Sequence, residues 1–450
     1  MSLFGYKIVI NNTDEYLMYL LMPVFFLLGY LLIALEHPLK IDKSASAILT
    51  GVVCWTLLVI GMGHGLEIPG YKPGAEHFAE ESLLEHLSNI ASILFFLMGA
   101  MTIVELIDAH EGFSVITEKV KTTHKVKLLW GLSFLTFFLS AALDNLTTAI
   151  VMAALLRKLI RDKEDLWFFA GMVVIAANAG GAWSPIGDVT TIMLWIGGQV
   201  TALNIVKEVF LPSVVCLLIP LTAASFMMKG NLQRPESTSE PDDEDLVGNF
   251  EQNLILVLGI GALLFVPVFK SITHLPPFMG ILLGLGVLWV VTEILNRNRM
   301  HDSNRTVVAV LRRIDVPSVL FFLGILLAVA ALETAGYLEE LAAVLDKTFG
   351  NIYIVNLLIG LLSSVVDNVP LVAGAMGMYP LSVYAADSMF WELLAYCAGT
   401  GGSVLIIGSA AGVAIMGILK IDFIWYLKRI SWLSLLGYLG GAATYYLVNG

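Results

Sequence analysis

The feature that most limits this 450-residue chain is a succession of long apolar runs separated by short polar ones. The hydrocarbon core of a bilayer is about 30 Å thick, and a helix that crosses it needs about 20 predominantly apolar residues. Ten runs meet that requirement, roughly 16–35, 46–63, 88–108, 166–196, 205–228, 253–271, 277–295, 316–333, 392–418 and 432–448. The first has no basic leader or small-residue cleavage site and is read as a retained span. Composition agrees: 58% of residues are hydrophobic and 14% charged, against about 45–50% and about 25% in soluble domains. Too few charges remain to clothe a water-facing surface, which excludes a soluble enzyme and a disordered chain. A net charge of −12 offers no basic face for nucleic acid. Cys54, Cys216 and Cys397 lie in apolar stretches, and their odd number argues against a disulfide framework. An all-α polytopic membrane protein is expected.

Lys and Arg concentrate on the cytoplasmic side of such proteins. If residues 36–45 are cytoplasmic, so are 109–127, 157–165, 229–252, 296–315 and 419–431, and these six segments hold 20 of the 25 basic residues. Lys7, Lys72, Lys207, Lys270 and Lys347 stay outside, with both termini. Two further apolar stretches do not fit as single crossings. Residues 128–156 have Lys125 and Lys127 before them and Arg157 and Lys158 after, so both flanks belong to the cytoplasm. A re-entrant hairpin with its tip at Leu143–Thr148 satisfies the rule. Stretch 349–386 is the mirror case: its flanks, with Glu339, Glu340 and Asp346 before and Asp387 and Glu392 after, are acidic and external, and its tip falls at Val366–Pro370. Non-helical backbone at membrane depth survives only where protein buries it or where it lines a watery cavity.

The chain also repeats itself. Ser92-Ile-Leu-Phe-Phe-Leu97 recurs as Ser318-Val-Leu-Phe-Phe-Leu323, an offset of 226. Leu143-Asp-Asn-Leu146 recurs as Val366-Asp-Asn-Val369 at 223, and Gly180-Gly181 with Gly187 recurs as Gly401-Gly402 with Gly408 at 221. The expected halves are 1–229 and 253–450, each with five spans and one hairpin, joined by a solvated acidic linker at 230–252 that carries Asp242-Asp243-Glu244-Asp245. Five is odd, so the second half enters the membrane upside down. Inverted repeats with broken helices at matching positions are the architecture of secondary transporters, with the binding site near the midplane.

Ionisable groups inside apolar stretches are costly and usually functional. Each hairpin has one, Asp144 and Asp367, at its tip. Span 166–196 has Asp188, inside the glycine- and proline-broken segment Asn178-Ala-Gly-Gly-Ala-Trp-Ser-Pro-Ile-Gly-Asp-Val-Thr190, and Ser409 holds the matching position of span 392–418. These elements contain three carboxylates and no Lys or Arg. A hard cation such as Na⁺ takes oxygen ligands, and the candidates are Asp144, Asn145, Thr147, Thr148, Asn178, Ser184, Asp188, Thr190, Ser363, Ser364, Asp367, Asn368, Thr400, Ser403 and Ser409. Na⁺ itself is assigned to Asp144, Asn145, Asn178, Asp188, Asp367 and Asn368. A desolvated carboxylate holds its proton more tightly than one in water, and a neighbouring carboxylate strengthens the effect. Proton and Na⁺ then compete for one site, which suffices for antiport if that site alternates between sides. The same residues have structural readings: Asp144, Asp188 and Asp367 can cap half-helices, which does not exclude ion binding, and Asn178 and the glycine pairs can act as helix breakers alone. The eight histidines show no metal-ligand spacing, and no Walker loop is present, so no resident cofactor and no ATP-driven pump is expected.

The tip Leu-Asp-Asn-Leu-Thr-Thr at 143–148, the break Asn178 to Thr191 and the tip Val-Asp-Asn-Val-Pro at 366–370 resemble those of NhaD-type sodium/proton antiporters, of the ion transporter superfamily. The resemblance runs over about 85–450 and is weaker through the first two spans. It implies export of Na⁺ and Li⁺ driven by H⁺ entry across a bacterial inner membrane. It also implies a homodimer in which hairpins and broken spans form a transport domain that moves against a scaffold. Dicarboxylate carriers of the superfamily carry Ser-Asn-Thr at the hairpin tips, where this chain has Asp. The alternative is a Na⁺-coupled transporter of an anion or organic acid, such as arsenite, citrate or a dicarboxylate. Ser363, Ser364, Ser403 and half-helix N-termini could hold such an anion only with the carboxylates already neutralised.

Overall fold

The computed structural model describes residues 13–63, 68–69, 71, 77–117, 122–232, 247–297, 305–365 and 367–450. The named elements are all α-helices, and an isolated antiparallel bridge joins His124 to Asn231. The first ten are α1 (Thr13–Ala34), α2 (Glu36–Leu39), α3 (Lys43–Gly63), α4 (Phe78–Ala109), α5 (Ser114–Thr117), α6 (Lys125–Leu143), α7 (Asn145–Leu159), α8 (Lys163–Ala182), α9 (Val189–Ile196) and α10 (Ala202–Met227). There follow α11 (Asn249–Thr273), α12 (Pro277–Asn296), α13 (Val307–Leu311), α14 (Val316–Thr334), α15 (Tyr337–Phe349) and α16 (Ile352–Leu362). The last five are α17 (Asn368–Met378), α18 (Met389–Gly401), α19 (Ala410–Leu419), α20 (Phe423–Arg429) and α21 (Ser431–Asn449).

Eight of these helices are long and apolar enough to cross a membrane, and ten spans result if the bent pairs α15–α16 and α19–α20 each count as one. The chain is a multi-pass membrane protein. Each of the ten apolar runs is helical, and the two at 166–196 and 392–418 are broken, into α8 with α9 and α18 with α19. Two differences from expectation have one physical cause. Helix α4 starts ten residues before the apolar run at 88–108, through Glu80, Glu81 and Glu85, and the acidic flank 337–349 is a helix too. Hydropathy marks where a chain enters hydrocarbon, whereas a helix continues into polar surroundings until something caps it. The run Asp242–Asp245, Lys7, His64, Lys72, Lys119, Lys121 and Val366 lie outside the described residues.

The chain divides into two compact units, each drawn from both halves of the sequence. The first comprises 1–95, 315–355 and 369–385; the second comprises 96–314, 356–368 and 386–450. Within the first, α3 lies along α14. A Cβ on Gly51 would stand 2.6 Å from the carbonyl oxygen of Gly324, so absent side chains let the two backbones touch. Small residues serve this purpose in lipid, where burial of apolar surface gives helices little reason to associate. Ser44 Oγ donates to Pro317 O at 2.7 Å and Trp55 Nε1 to Leu327 O at 2.9 Å along the same seam.

Within the second unit α8 is the most enclosed long helix, buried at every residue from Phe169 to Ala182. Its Gly180 abuts the backbone of Phe137 in α6, and Gly401 of α18 abuts the backbone of Gly360 in α16 in the same manner. The three cysteines are free and buried.

Candidate functional site

All the candidate residues belong to the second unit. Helices α6 and α7 meet at a single residue, Asp144. Its N–H closes α6 by donating to Ser140 O at 3.2 Å, and its own carbonyl accepts from Thr148 N at 3.2 Å. Its carboxylate caps α7, accepting from Thr147 N and Thr147 Oγ1, each at 2.8 Å. The backbone that permits this has φ 91° and ψ 160°, a region glycine tolerates and other residues enter at a cost of about 1–3 kcal/mol. An aspartate held there is kept for its side chain.

Helix α8 ends at Ala182 and α9 begins after Asp188. Asp188 caps α9 in extended backbone (φ −148°, ψ 147°); its Oδ1 accepts from Thr190 N at 2.9 Å and Thr190 Oγ1 at 2.7 Å. Gly181 faces the Gly187 backbone too closely for any side chain. Ser184 Oγ donates to Ala141 O, and Ser140 Oγ to Ala177 O, both at 2.6 Å, which stitches the break onto α6. The α18–α19 break has the same local geometry. Ser409 caps α19 at φ −142° and ψ 152° and accepts from Gly412 N at 3.2 Å. Ser363 Oγ donates to Ala398 O at 2.9 Å, the counterpart of the Ser140–Ala177 bond at offsets of 223 and 221. Ser140 was missing from the sequence-derived set, yet the offset of 223 applied to Ser363 points straight at it.

The tips and the first break converge on Asp188. Asn145 Nδ2 donates to Asp188 Oδ2 and, at 3.1 Å, to Asn178 Oδ1. Asn368 Nδ2 donates to Asp188 Oδ1 at 3.4 Å. Asn178 Nδ2 passes the network to the second break, donating to Ser403 Oγ at 2.9 Å and Ser409 Oγ at 2.8 Å. Asn178 is therefore no helix breaker: it sits inside α8 and bridges the two breaks. Asp188 is 1% exposed and Asn178 fully buried. Among the described residues, no Lys or Arg is a hydrogen-bond partner of Asp188.

The remaining candidates divide by what their oxygens do. Thr400 Oγ1 donates to Tyr396 O at 2.6 Å and Ser364 Oγ to Leu361 O at 2.7 Å. Like Ser184 and Ser363, they commit the hydroxyl proton to backbone and keep lone pairs. Thr148 Oγ1, on the first turn of α7, is buried with no hydrogen-bond partner among the described residues. Asp144 and Thr147 bond to each other rather than to the Asp188 network, and Asp367 stands half-buried immediately before α17. Chemically this is a buried oxygen-rich centre with one carboxylate at its hub, suited to a small hard cation or a proton.

The chain is similar to known membrane transporters. The family model CitMHS, described as a citrate transporter, matches residues 20–399. The chain is 46% identical to sodium/proton antiporter 1 of Arabidopsis thaliana, across 95% of this chain and 72% of that protein. It is 44% identical to sodium/proton antiporter 2 of the same plant, across 95% and 99%. With the Na(+)/H(+) antiporter NhaD of Vibrio cholerae the identity is 31%, across 94% and 90%.

Proposed function

This chain belongs to the NhaD-type sodium/proton antiporter family of the ion transporter superfamily, a family of transporters and not of enzymes, and from that premise we propose that it exchanges cytoplasmic Na⁺, and Li⁺, for external H⁺. The observation that carries the reading is the Asp188 hub: a buried carboxylate met by two asparagine amides, with no basic side chain among its partners. An anionic substrate would find uncompensated negative charge there. A cation finds carboxylate, amide and hydroxyl oxygens.

The hydrogen bonds suggest how ion and proton exclude each other. As placed, Asp188 accepts from Thr190, Asn145 and Asn368 and donates to none, the pattern of an ionised carboxylate. Protonation turns one of its oxygens into a donor and weakens it as an acceptor, so an amide N–H aimed at that oxygen loses much of its hold. Rotation of the Asn145 or Asn368 amide exchanges its NH₂ for its carbonyl, which can face either the new proton or an arriving Na⁺. Asp144 and Asp367 at the tips supply further negative charge for a second proton or the ion. The proposed frame is two inverted repeats, each of five spans and one re-entrant hairpin, in a dimer, with both termini on the outer side of a bacterial inner membrane.

The test uses everted vesicles and a pH-sensitive dye. Na⁺ or Li⁺ added without any organic anion is expected to reverse the respiration-driven acid quench. The CitMHS description favours a second reading, Na⁺-coupled carriage of an organic acid. Silence with Na⁺ alone and a response once citrate or a dicarboxylate is added would establish that reading instead.

Asp144 separates capping from ion handling. Asp144→Asn keeps an acceptor for Thr147 N, and Asp144→Gly removes both the cap and the penalty at φ 91°. Both variants are expected to melt close to the unmodified protein, since loss of a cap (about 1 kcal/mol) and relief of strain (about 1–3 kcal/mol) oppose each other in the glycine variant. Both are expected to lose most Na⁺-dependent proton movement. Full transport by either would leave Asp144 a cap only.

A further inference from the structure

A cavity of about 770 Å³ opens beside the α8–α9 break and is lined almost wholly by apolar side chains. Its floor is the break itself, Trp183, Pro185 and Ile186, with Ala142 of α6. One wall is α11, from Ile260 to Ile272, and the first turn of α10 stands at one end. A helix rises about 1.5 Å per residue, so that wall is about 18 Å long, close to the depth of one leaflet of a hydrocarbon core about 30 Å thick. The rim runs into exposed apolar surface: Leu203 is 80% and Ile272 71% exposed. The two hydroxyls that line the cavity are Ser184, committed to Ala141 O, and Ser271, committed to Pro267 O. The indole N–H of Trp183, buried with no hydrogen-bond partner among the described residues, is the donor this lining leaves unspent.

Lys270 of α11 comes one residue before Ser271 and Ile272 of that wall. Lys270 places its ammonium 2.9 Å from Trp195 O and 4.6 Å from the centre of the Trp195 ring. Among the described residues it forms no ion pair. A cation left with a carbonyl and an aromatic face, beside a leaflet-deep apolar trough, complements a molecule with an anionic head and a long hydrocarbon tail.

We propose that this cavity is a phospholipid site. One acyl chain lies along α11 over Trp183–Ile186, and the phosphate of an anionic headgroup meets Lys270. An acyl chain gains little by leaving other acyl chains for an apolar wall, so the choice between lipids rests on Lys270. Attraction between a basic residue and an anionic lipid amounts to a preference of roughly fivefold. The occupant touches the segment that leads within two residues to Asp188.

The test places the full chain in nanodiscs of phosphatidylcholine with rising fractions of a lipid brominated on its acyl chains, which quenches tryptophan at contact. The difference between the unmodified chain and Trp183→Phe isolates the cavity floor. Brominated phosphatidylglycerol is expected to saturate quenching of Trp183 at about one-fifth the mole fraction that brominated phosphatidylcholine needs, and Lys270→Gln is expected to abolish that preference. No quenching of Trp183, or equal quenching by the two lipids in the unmodified chain, overturns the site. A folded Lys270→Gln protein that keeps the preference overturns the headgroup assignment. The unmodified-chain comparison stands even if the variant fails to fold.

Discussion

Asp188→Asn is expected to reduce Na⁺-dependent proton movement by at least two orders of magnitude while the protein still inserts and folds. The substitution keeps size and shape, and Oδ1 of the new amide can still accept from Thr190, so the cap on α9 survives. What it removes is the one charge at the hub. A Na⁺ taken from water into this buried centre is opposed by its desolvation, and without the Asp188 carboxylate the charge at the centre of the amide network is gone, leaving only those at the tips. Removing one partner of a buried ion pair costs about 3–5 kcal/mol, which is roughly a hundredfold to several thousandfold in affinity. The variant also has no exchangeable proton at that position. Asp188→Glu should retain a measurable fraction, because the charge persists but is displaced by a methylene from Asn145 and Asn368. Proteoliposomes with matched protein content give the readout; an Asp188→Asn rate within a few-fold of the unmodified rate would contradict the assignment of the hub.

The second large effect is expected at Gly180, for a reason of packing. A methyl group there would overlap the backbone of Phe137, which no rotamer change can relieve, and one at Gly401 would overlap the backbone of Gly360. Gly180→Ala must therefore push α6 from α8, and with it the Ser140–Ala177 and Ser184–Ala141 bonds that hold the break in place. Overpacking costs about 1–3 kcal/mol, and the lost hydrogen bonds add about 0.5–1.5 kcal/mol each. A clear fall in melting temperature is expected, together with loss of transport, since the Asn145 amide on α7 is carried away from Asp188. Gly131→Ala in the same α6 is the control. A Cβ at Gly131 meets nothing within 4 Å, so that variant should melt at or above the unmodified temperature. Equal melting temperatures for Gly180→Ala and Gly131→Ala would show that the close approach is not needed.

Much of the site was legible in the residues because the membrane makes exceptions conspicuous. A lone Asp at each tip and a Gly-Gly…Pro…Gly-Asp segment inside an apolar run can be seen without any structure; α6–α7 and α8–α9 divide where those residues stand and α17 begins just after Asp367, while α18–α19 divides at the matching Gly401-Gly402…Gly408-Ser409. The rank of the three carboxylates was not legible. Asp144, Asp188 and Asp367 look equivalent as isolated charges, yet Asp188 collects amides from residues 43 positions before it and 180 after it, while Asp144 bonds its own neighbour Thr147. That distinction depends on how the tips pack against the break. The breaker reading of Asn178, the alternative to its ligand role, fails for a related cause: its neighbours Gly180 and Gly181 suggest a kink, but those glycines serve close approach, and the helix continues past them to Ala182. Helix α15 escaped notice because its Glu339, Glu340 and Lys347 give it too little apolar length to register as a span.

Competition between Na⁺ and a proton for one buried carboxylate is tested most directly by Na⁺ binding to the purified protein at a series of pH values. If one proton leaves the hub for each Na⁺ that enters, linkage requires the half-saturating Na⁺ concentration to rise about tenfold for each unit of falling pH, once the site is protonated. That slope, abolished in Asp188→Asn, is the result expected. Na⁺ binding of undiminished strength across the same pH range would mean that ion and proton occupy separate sites, and it would contradict exchange at Asp188.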